Sequence, residues 1–378
     1  MLTEKSSKEI KVLNIITRSS PIGGAQMVLL DNVIRNSFTN IVVTGNEGVL
    51  TEKLRLNGIK VIIIKNLKRS FSIYDISVLF KIILILKKEK INFVTSHSSK
   101  IGVLARLACF FTNTRNAFVV HGWSFSNDNS KTAYFFFLFV EKFMKFFTDY
   151  FILVSKYDIA IGLKNNILKN KNHILIYNGS KDLFQNNLKR KKSKKIVISF
   201  VARFSSQKDH QTLFDALCLL NDEQLDLLSI NLIGGGKLID KFIDKSISMK
   251  IHRSLNFIGE TSEVNKYLVN SDLFMLISNY EGLPVSIIEA LSLGMPIIAS
   301  NVGGVNELVK DGVNGFLIPK KDSITLYKVL VNLLSGNSYN IESMGRRSRE
   351  IYADSFKVDV MAAKTESLIN TILQKNKN

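Results

Sequence analysis

The stretch Glu281-Gly-Leu-Pro-Val-Ser-Ile-Ile-Glu289-Ala-Leu-Ser-Leu-Gly294-Met-Pro296 decides how this chain is read. It lies between two short apolar runs, Asp272-Leu-Phe-Met-Leu-Ile-Ser278 and Pro296-Ile-Ile-Ala-Ser300. Runs of that length and composition read as buried strands of a parallel sheet. The segment between them then reads as a Gly/Pro loop entering a short crossover helix. Glu281 falls on the loop, and Glu289, eight residues on, falls inside the helix. A carboxylate at the carboxyl end of a parallel strand faces the crevice where such sheets take ligands, and it accepts hydrogen bonds from hydroxyl groups.

The same strand–helix rhythm runs outward in both directions. In the first half the expected strands are Val12–Ile16, Asn40–Thr44, Val61–Lys65, Asn92–Ser96, Ala117–Val120 and Phe151–Ser155, with helical runs such as Ser77–Lys90 and Lys100–Thr112 between them. In the second half they are Ile196–Val201, Ser229–Ile233, Asn256–Ile258, Asp272–Ile277, Pro296–Ser300 and Phe316–Ile318. Alternation of this kind implies βαβ units and parallel sheets covered on both faces. A chain of 378 residues exceeds what one core usually serves, so two α/β, doubly wound, Rossmann-like domains are expected. The boundaries fall at 1–182, a lysine-rich linker at 183–195, a second domain at 196–355 and a terminal helix at 356–378.

Five further motifs close strands or open helices. Pro21-Ile-Gly23-Gly24-Ala25-Gln26 follows the first strand, and its glycines let backbone amides approach a phosphate at a helix N-terminus. It departs from Gly-x-Gly-x-x-Gly, and no acidic residue ends the second strand, which argues against a dinucleotide site. Val119-Val-His121-Gly122-Trp123 ends the fifth strand and puts a histidine at the crevice; His97 ends another strand. Val201-Ala202-Arg203-Phe204-Ser-Ser-Gln-Lys208 places two cations five apart, a set suited to a diphosphate. Ile230-Asn-Leu-Ile-Gly234-Gly235-Gly236 is a strand followed by a loop able to approach a nucleotide closely, or simply a flexible turn. Asn256-Phe257-Ile258-Gly259 ends the next strand.

Together these motifs resemble the retaining glycosyltransferases of the GT-B fold, family 4, over nearly the whole chain. Glu281 and Glu289 match the family's Glu-x7-Glu signature. Arg203 and Lys208 match its donor-phosphate motif, although Ala202 stands where many members have Gly. The resemblance implies that Glu281 meets hydroxyls of the donor sugar and Glu289 the ribose. It places Arg203 and Lys208 on the leaving diphosphate and His121 at the reaction centre. Gly23, Gly24, Gly235, Phe257, Ile258, Gly282, Leu283, Pro284 and Val285 would complete the donor pocket, with Pro284 offering no N–H. Trp123 and His97 are candidates for the acceptor side. Glu307, in Gly303-Gly304-Val-Asn-Glu307, is structural in this reading, and Asn178-Gly179 matches a hinge turn. The terminal helix would return to the first domain, and domain closure would exclude water. Family members are metal-independent, so no cofactor or metal is expected, and no Asp-x-Asp is apparent. Expected partners are a nucleotide-sugar, UDP by family frequency, and a glycan or polyprenyl-diphosphate-linked acceptor. The pathway would be O-antigen or capsule assembly.

Charge adds a separate inference. Residues 1–180 hold 25 Lys/Arg against 11 Asp/Glu, residues 181–195 hold 7 against 1, and residues 196–378 hold 19 against 20. The net charge of +19 is therefore a property of the first half and the linker. A cationic surface of this kind attracts phosphate-rich partners. Phenylalanines between Lys131 and Phe147, with the lysines and arginine at 65, 68, 69, 81, 87, 88 and 90, suit an anionic membrane surface as well as they suit core packing. No helix-turn-helix, zinc-finger or RNP-type motif supports a nucleic-acid partner. No apolar run approaches the ~18 residues that span a bilayer. Met-Leu-Thr-Glu-Lys-Ser-Ser-Lys lacks the apolar stretch of a secretory signal, and two cysteines suit a reducing compartment. Cytoplasmic, peripheral membrane location is expected. The competing readings are an epimerase of sugar nucleotides on the same fold, a basic nucleic-acid- or lipid-binding protein, and a non-catalytic sugar-nucleotide sensor.

Overall fold

The computed structural model describes residues 9–68, 72–125, 130–169, 172–184, 194–336 and 340–374. Arg69 and most of the expected linker, residues 185–193, lie outside the described residues. The chain forms two compact units, Met1–Gly179 with Val358–Asn378, and Ser180–Lys357.

The first unit is built on a seven-stranded sheet. Its strands are β1 (Lys11–Ile15), β2 (Thr39–Thr44), β3 (Lys60–Ile63), β4 (Phe93–Ser96), β5 (Arg115–Val120), β6 (Tyr150–Leu153) and β7 (His173–Leu175). They lie in the order β3-β2-β1-β4-β5-β6-β7, and every pairing is parallel. Consecutive residues of β2, β4 and β5 are buried rather than alternate ones, because helices cover both faces. Leu13, Ile15, Ile41 and Val43 pack with Val78, Ile82 and Leu86 of the helix Asp75–Glu89 and with Ile101 and Ala105 of the helix Ser99–Thr112. A three-residue edge strand, β7, is the one element of this sheet that the hydropathy pattern did not separate from the Asn-rich turns beside it.

The terminal helix Val358–Gln374 belongs to this unit. Its buried residues Val358, Met361, Ala362, Thr365, Leu368, Ile369 and Ile372 recur at helical spacing and form one face. The helix packs beside the helix Gly24–Val33, and Arg35 donates to Asp359 at 3.1 Å. A buried ion pair joins two other helices. Arg106, fully buried, donates to both carboxylate oxygens of Glu141, at 2.9 and 3.3 Å, while its guanidinium lies over the Phe118 ring.

The second unit repeats the plan with six strands: β8 (Ile196–Val201), β9 (Leu228–Ile233), β10 (Leu255–Gly259), β11 (Leu273–Leu276), β12 (Ile297–Ser300) and β13 (Gly315–Ile318). Their order is β10-β9-β8-β11-β12-β13, again all parallel. In each sheet the order reverses once, between β1 and β4 and between β8 and β11. Loops leaving the carboxyl ends of those strands diverge there and open a crevice.

Candidate functional site

The second unit gathers most of the predicted residues at its reversal point. Arg203 lies one residue beyond Ala202, directly after β8, and Glu281 lies five residues after β11. The two loops are laced together by backbone bonds: Asp209 N donates to Ile277 O at 3.0 Å, and Asn279 N to Gln207 O at 2.8 Å. The Gln207 side chain adds a third tie, donating to Tyr280 O at 3.1 Å. This lacing brings Lys208 Nζ onto Glu281 Oε1 as a nearly buried ion pair. Arg203 is exposed and has no hydrogen bond or ion pair among the described residues. Lys208 thus holds a carboxylate through one of its three N–H groups, and the exposed Arg203 is open to an outside anion.

Glycines explain how the backbone gets so close. Gly303 has φ +57°, and a Cβ there would sit 1.8 Å from Glu281 O, so only glycine permits the contact. Gly304 N then donates to Gly282 O at 2.9 Å, bracing the loop that carries Glu281. Gly234 and Gly236 act likewise on the other side. Added Cβ atoms would meet Ala202 O and Phe204 O at 2.3 and 2.4 Å, and Phe204 N donates to Gly235 O. The outer two glycines of the triple are therefore required by packing against the Arg203 loop, whatever binds nearby. Phe257 stacks on Phe204, and Ile258 is half-buried beside it.

The helix Val285–Ser292 starts at the Pro284 cap with no side chain capping it. Its first backbone N–H groups, next to Gly282 and Leu283, are the kind of donors that bind phosphate. Glu289 is half-buried on this helix. His210, absent from the sequence-based site, proves to be part of the frame. Its ring lies between Phe200 and Phe204, and Nδ1 bonds the Lys208 carbonyl at 3.1 Å. Burial pushes its pKa down to about 4, so it is neutral at pH 7 and supports the Lys208 loop.

The first unit has its own crevice, between β1 and β4. Gly23 caps the helix Gly24–Val33 without a side-chain bond, and Thr17, just after β1, bonds Ser98 at 2.6 Å. His121 directly follows β5 and is half-buried; its Nε2 lies 3.2 Å from Nδ1 of His97. Burial lowers both histidines, His121 to about 4. His97 is buried behind His121 and bonds Thr95, so it supports that residue and does not meet an acceptor.

Trp123 corrects the sequence expectation more sharply. It is 1% exposed, stacked on Phe125, and its Nε1 donates to Asp158 O at 2.7 Å. Both its apolar face and its one donor are used inside the core, so it is a packing residue and not an acceptor platform. Sequence reasoning missed Asn14, Asn40 and Thr95, which extend the histidine pair into the sheet. Polar side chains in the middle of otherwise apolar strands were the available signal, because buried polar groups are almost always partnered. Among the described residues no three His, Cys, Asp or Glu side chains form a metal-sized group.

Known proteins resemble this chain along most of its length. Residues 181–350 match the family model described as glycosyl transferases group 1. The O-antigen biosynthesis glycosyltransferase WbnH of Escherichia coli is 30% identical over 353 residues, 92% of this chain and 98% of that protein. A UDP-Gal:alpha-D-GlcNAc-diphosphoundecaprenol alpha-1,3-galactosyltransferase of Escherichia coli is 29% identical over 85% of this chain and 90% of its own. The capsular polysaccharide biosynthesis glycosyltransferase CapH of Staphylococcus aureus is 28% identical over 91% and 98%. Among solved structures, Anabaena HepE in complex with UDP and glucose matches with a TM-score of 0.82 over 96% of this chain and all of its own, at 18% identity. That likeness is one of fold, the GT-B architecture of two Rossmann-like units.

Proposed function

The chain belongs to the glycosyl transferases of group 1, and from that premise we propose that it moves a hexose, with retained configuration, from a UDP-sugar to a polyprenyl-diphosphate-linked glycan during assembly of a cell-surface polysaccharide. The substrate classes follow the relatives that act in O-antigen and capsule synthesis, one of them on a diphosphoundecaprenol-linked sugar. The observation that carries the reading for this chain is the β8–β11 crevice. It holds an ion-paired Glu281, an exposed Arg203 with no partner among the described residues, and an uncapped helix start.

In this reading the donor's diphosphate lies against Arg203 and the first amides of Val285–Ser292. The guanidinium stabilises charge as it develops on the leaving phosphate. Lys208 fixes one oxygen of Glu281, which leaves Oε2 to accept bonds from hydroxyls of the sugar. Glu289 holds the ribose. The bond from the anomeric carbon to the phosphate oxygen breaks as the acceptor oxygen bonds the same face. The acceptor's hydroxyl proton passes to the departing phosphate. His121, in the first unit's own crevice, is kept for a sugar hydroxyl. No cofactor or metal is assigned a step.

We also propose that the first unit rests on the cytoplasmic leaflet. Two of its helices carry exposed apolar stripes at four-residue spacing: Ile76, Phe80 and Leu84 on one, and Phe135, Phe139 and Phe143 on the other. Phe139 is 71% exposed. Lys81, Lys87 and Lys88 share the first helix, and Lys131 and Lys142 the second. Phenylalanines flanked by lysines suit an anionic interface. No helix among the described residues is long and apolar enough to cross a membrane.

A panel of UDP-, GDP- and ADP-sugars, read by thermal shift and calorimetry, tests the donor. Selective stabilisation by a UDP-sugar, lost in both Glu281→Ala and Arg203→Ala, is expected. Transfer to diphosphoundecaprenol-linked sugars should then follow with that donor; an inert protein under these conditions would overturn the reading.

A further inference from the structure

Five side chains form one unbroken polar line across the first sheet. It begins at Asn40 on β2, whose Nδ2 donates to the backbone carbonyls of Val33 and Phe38, at 3.0 and 3.1 Å, and to Asn36 Oδ1. Carbonyls accept only, so the amide orientation of Asn40 is determined and its Oδ1 must receive. It receives from Asn14 Nδ2 on β1 at 3.0 Å. That orients Asn14 in turn, and its Oδ1 accepts the Thr95 hydroxyl of β4 at 2.6 Å.

A hydroxyl has one hydrogen, and Thr95 has now spent it. Thr95 Oγ1 can only accept from His97 Nε2, which lies 3.2 Å away. A neutral imidazole carries one N–H, so His97 Nδ1 is a bare lone pair. It faces His121 Nε2 at 3.2 Å, with the two rings inclined by only 27°, close to the planes in which ring nitrogens bond. His121 Nε2 must therefore hold the hydrogen. Its remaining nitrogen, Nδ1, is an acceptor and has no protein partner among the described residues. Asn14, Asn40, Thr95 and His97 are all nearly or fully buried, so water does not scramble the polarity, while His121 is half-exposed.

We infer that Asn40, Asn14, Thr95 and His97 are positioning residues that lock His121 as the Nε2–H tautomer, so that its Nδ1 accepts a hydrogen bond from a sugar hydroxyl. The sugar-facing half rests on the reading of His121 given above; the lock itself does not. Low ring basicity keeps both histidines neutral near pH 7, as the polarity argument requires. A group that only filled space would not need its tautomer set by a chain anchored three strands away.

Nitrogen-15 spectra of the whole protein labelled at its five histidines test the lock without any substrate. His121 and His97 should each show a protonated Nε2 and a bare Nδ1. A protonated Nδ1 on His121 would overturn the proposal outright. In Thr95→Val the His97 Nε2–H loses its acceptor, and both rings should move toward the Nδ1–H form. Transfer should fall by about tenfold, the loss of one oriented hydrogen bond, and Thr95→Ser should restore both signals. Unchanged tautomers in a folded Thr95→Val would also overturn the lock. With the donor identified by the panel, a hydroxyl on the donor sugar predicts that its slow hydrolysis falls in parallel with transfer. A hydroxyl on the acceptor predicts that transfer alone falls. If the spectra are as expected but His121→Ala transfers at the wild-type rate, the sugar-facing half is wrong and the lock stands alone.

Discussion

In the second unit the crevice between β8 and β11 holds an exposed arginine beside a lysine–glutamate pair. In the first unit the crevice between β1 and β4 leads to amides, a threonine and two histidines that are all neutral. The two sheets share strand order, parallel pairing and the position of the reversal. Topology therefore sets where each unit can take a ligand, and side chains at the strand ends decide what chemistry that place performs. A charged crevice suits a nucleoside diphosphate, whose two phosphates repay the desolvation of Arg203. A neutral one suits hydroxyls, which are recognised by direction more than by charge.

The largest effect should come from the charged crevice. Replacing Glu281 with Ala removes the sugar's acceptor and strands Lys208, so turnover should fall by about 10³-fold or more, measured with the identified donor and acceptor. Substituting Glu281→Gln keeps hydrogen-bonding shape without charge and should recover only part of it. Equal rates for the Gln variant and wild type would show that charge is not what distinguishes the two crevices.

Stability should separate the units next. Arg106→Leu leaves the Glu141 carboxylate buried without its bidentate partner in the first unit, at a cost of about 3–5 kcal/mol by denaturant unfolding. UDP-sugar affinity, assigned to the second unit in the proposal above, should stay near wild type in the folded fraction.

A third comparison is made by pH. His121 and His210 titrate at about 4 when folded, against an ordinary 6.5, and His97 is lowered too. The unfolded chain binds these protons first, so their stabilising contribution is complete above pH 6.5. It is lost as pH falls below about 6.5, on the order of 1 kcal/mol per pH unit for each histidine that the fold keeps neutral. His210→Phe, which keeps the aromatic stack, should flatten the slope by one histidine's share in the second unit and leave the first unit's slope as it was. The smallest expected effect is at the membrane surface. Phe139→Ser should weaken binding to vesicles containing anionic lipid by roughly three- to tenfold and change folding stability by under about 0.5 kcal/mol.

Much of this contrast is readable in the sequence. Twelve of the strands follow from short apolar runs between turn residues, and Glu281, Arg203, Lys208 and His121 lie where strand ends put them. What was not readable depended on partners distant in sequence. The pairing of Lys208 with Glu281 was hidden because it spans 73 residues. Trp123 looked available because nothing local shows that Phe125, Phe151 and the Asp158 carbonyl enclose it. The Asn14–Thr95 bond spans 81 residues and becomes visible only once β1 and β4 are neighbours. Periodicity reports which face is buried; it does not report which polar groups meet there.

Calorimetric titration of UDP-sugars into wild type, Arg203→Ala and His121→Ala tests the division between the crevices most directly. The account predicts that the arginine variant loses affinity by 100-fold or more, about 2.7 kcal/mol, while the histidine variant stays within about tenfold of wild type. Donor binding that survives in Arg203→Ala, or that depends on His121 and not on Arg203, would contradict it.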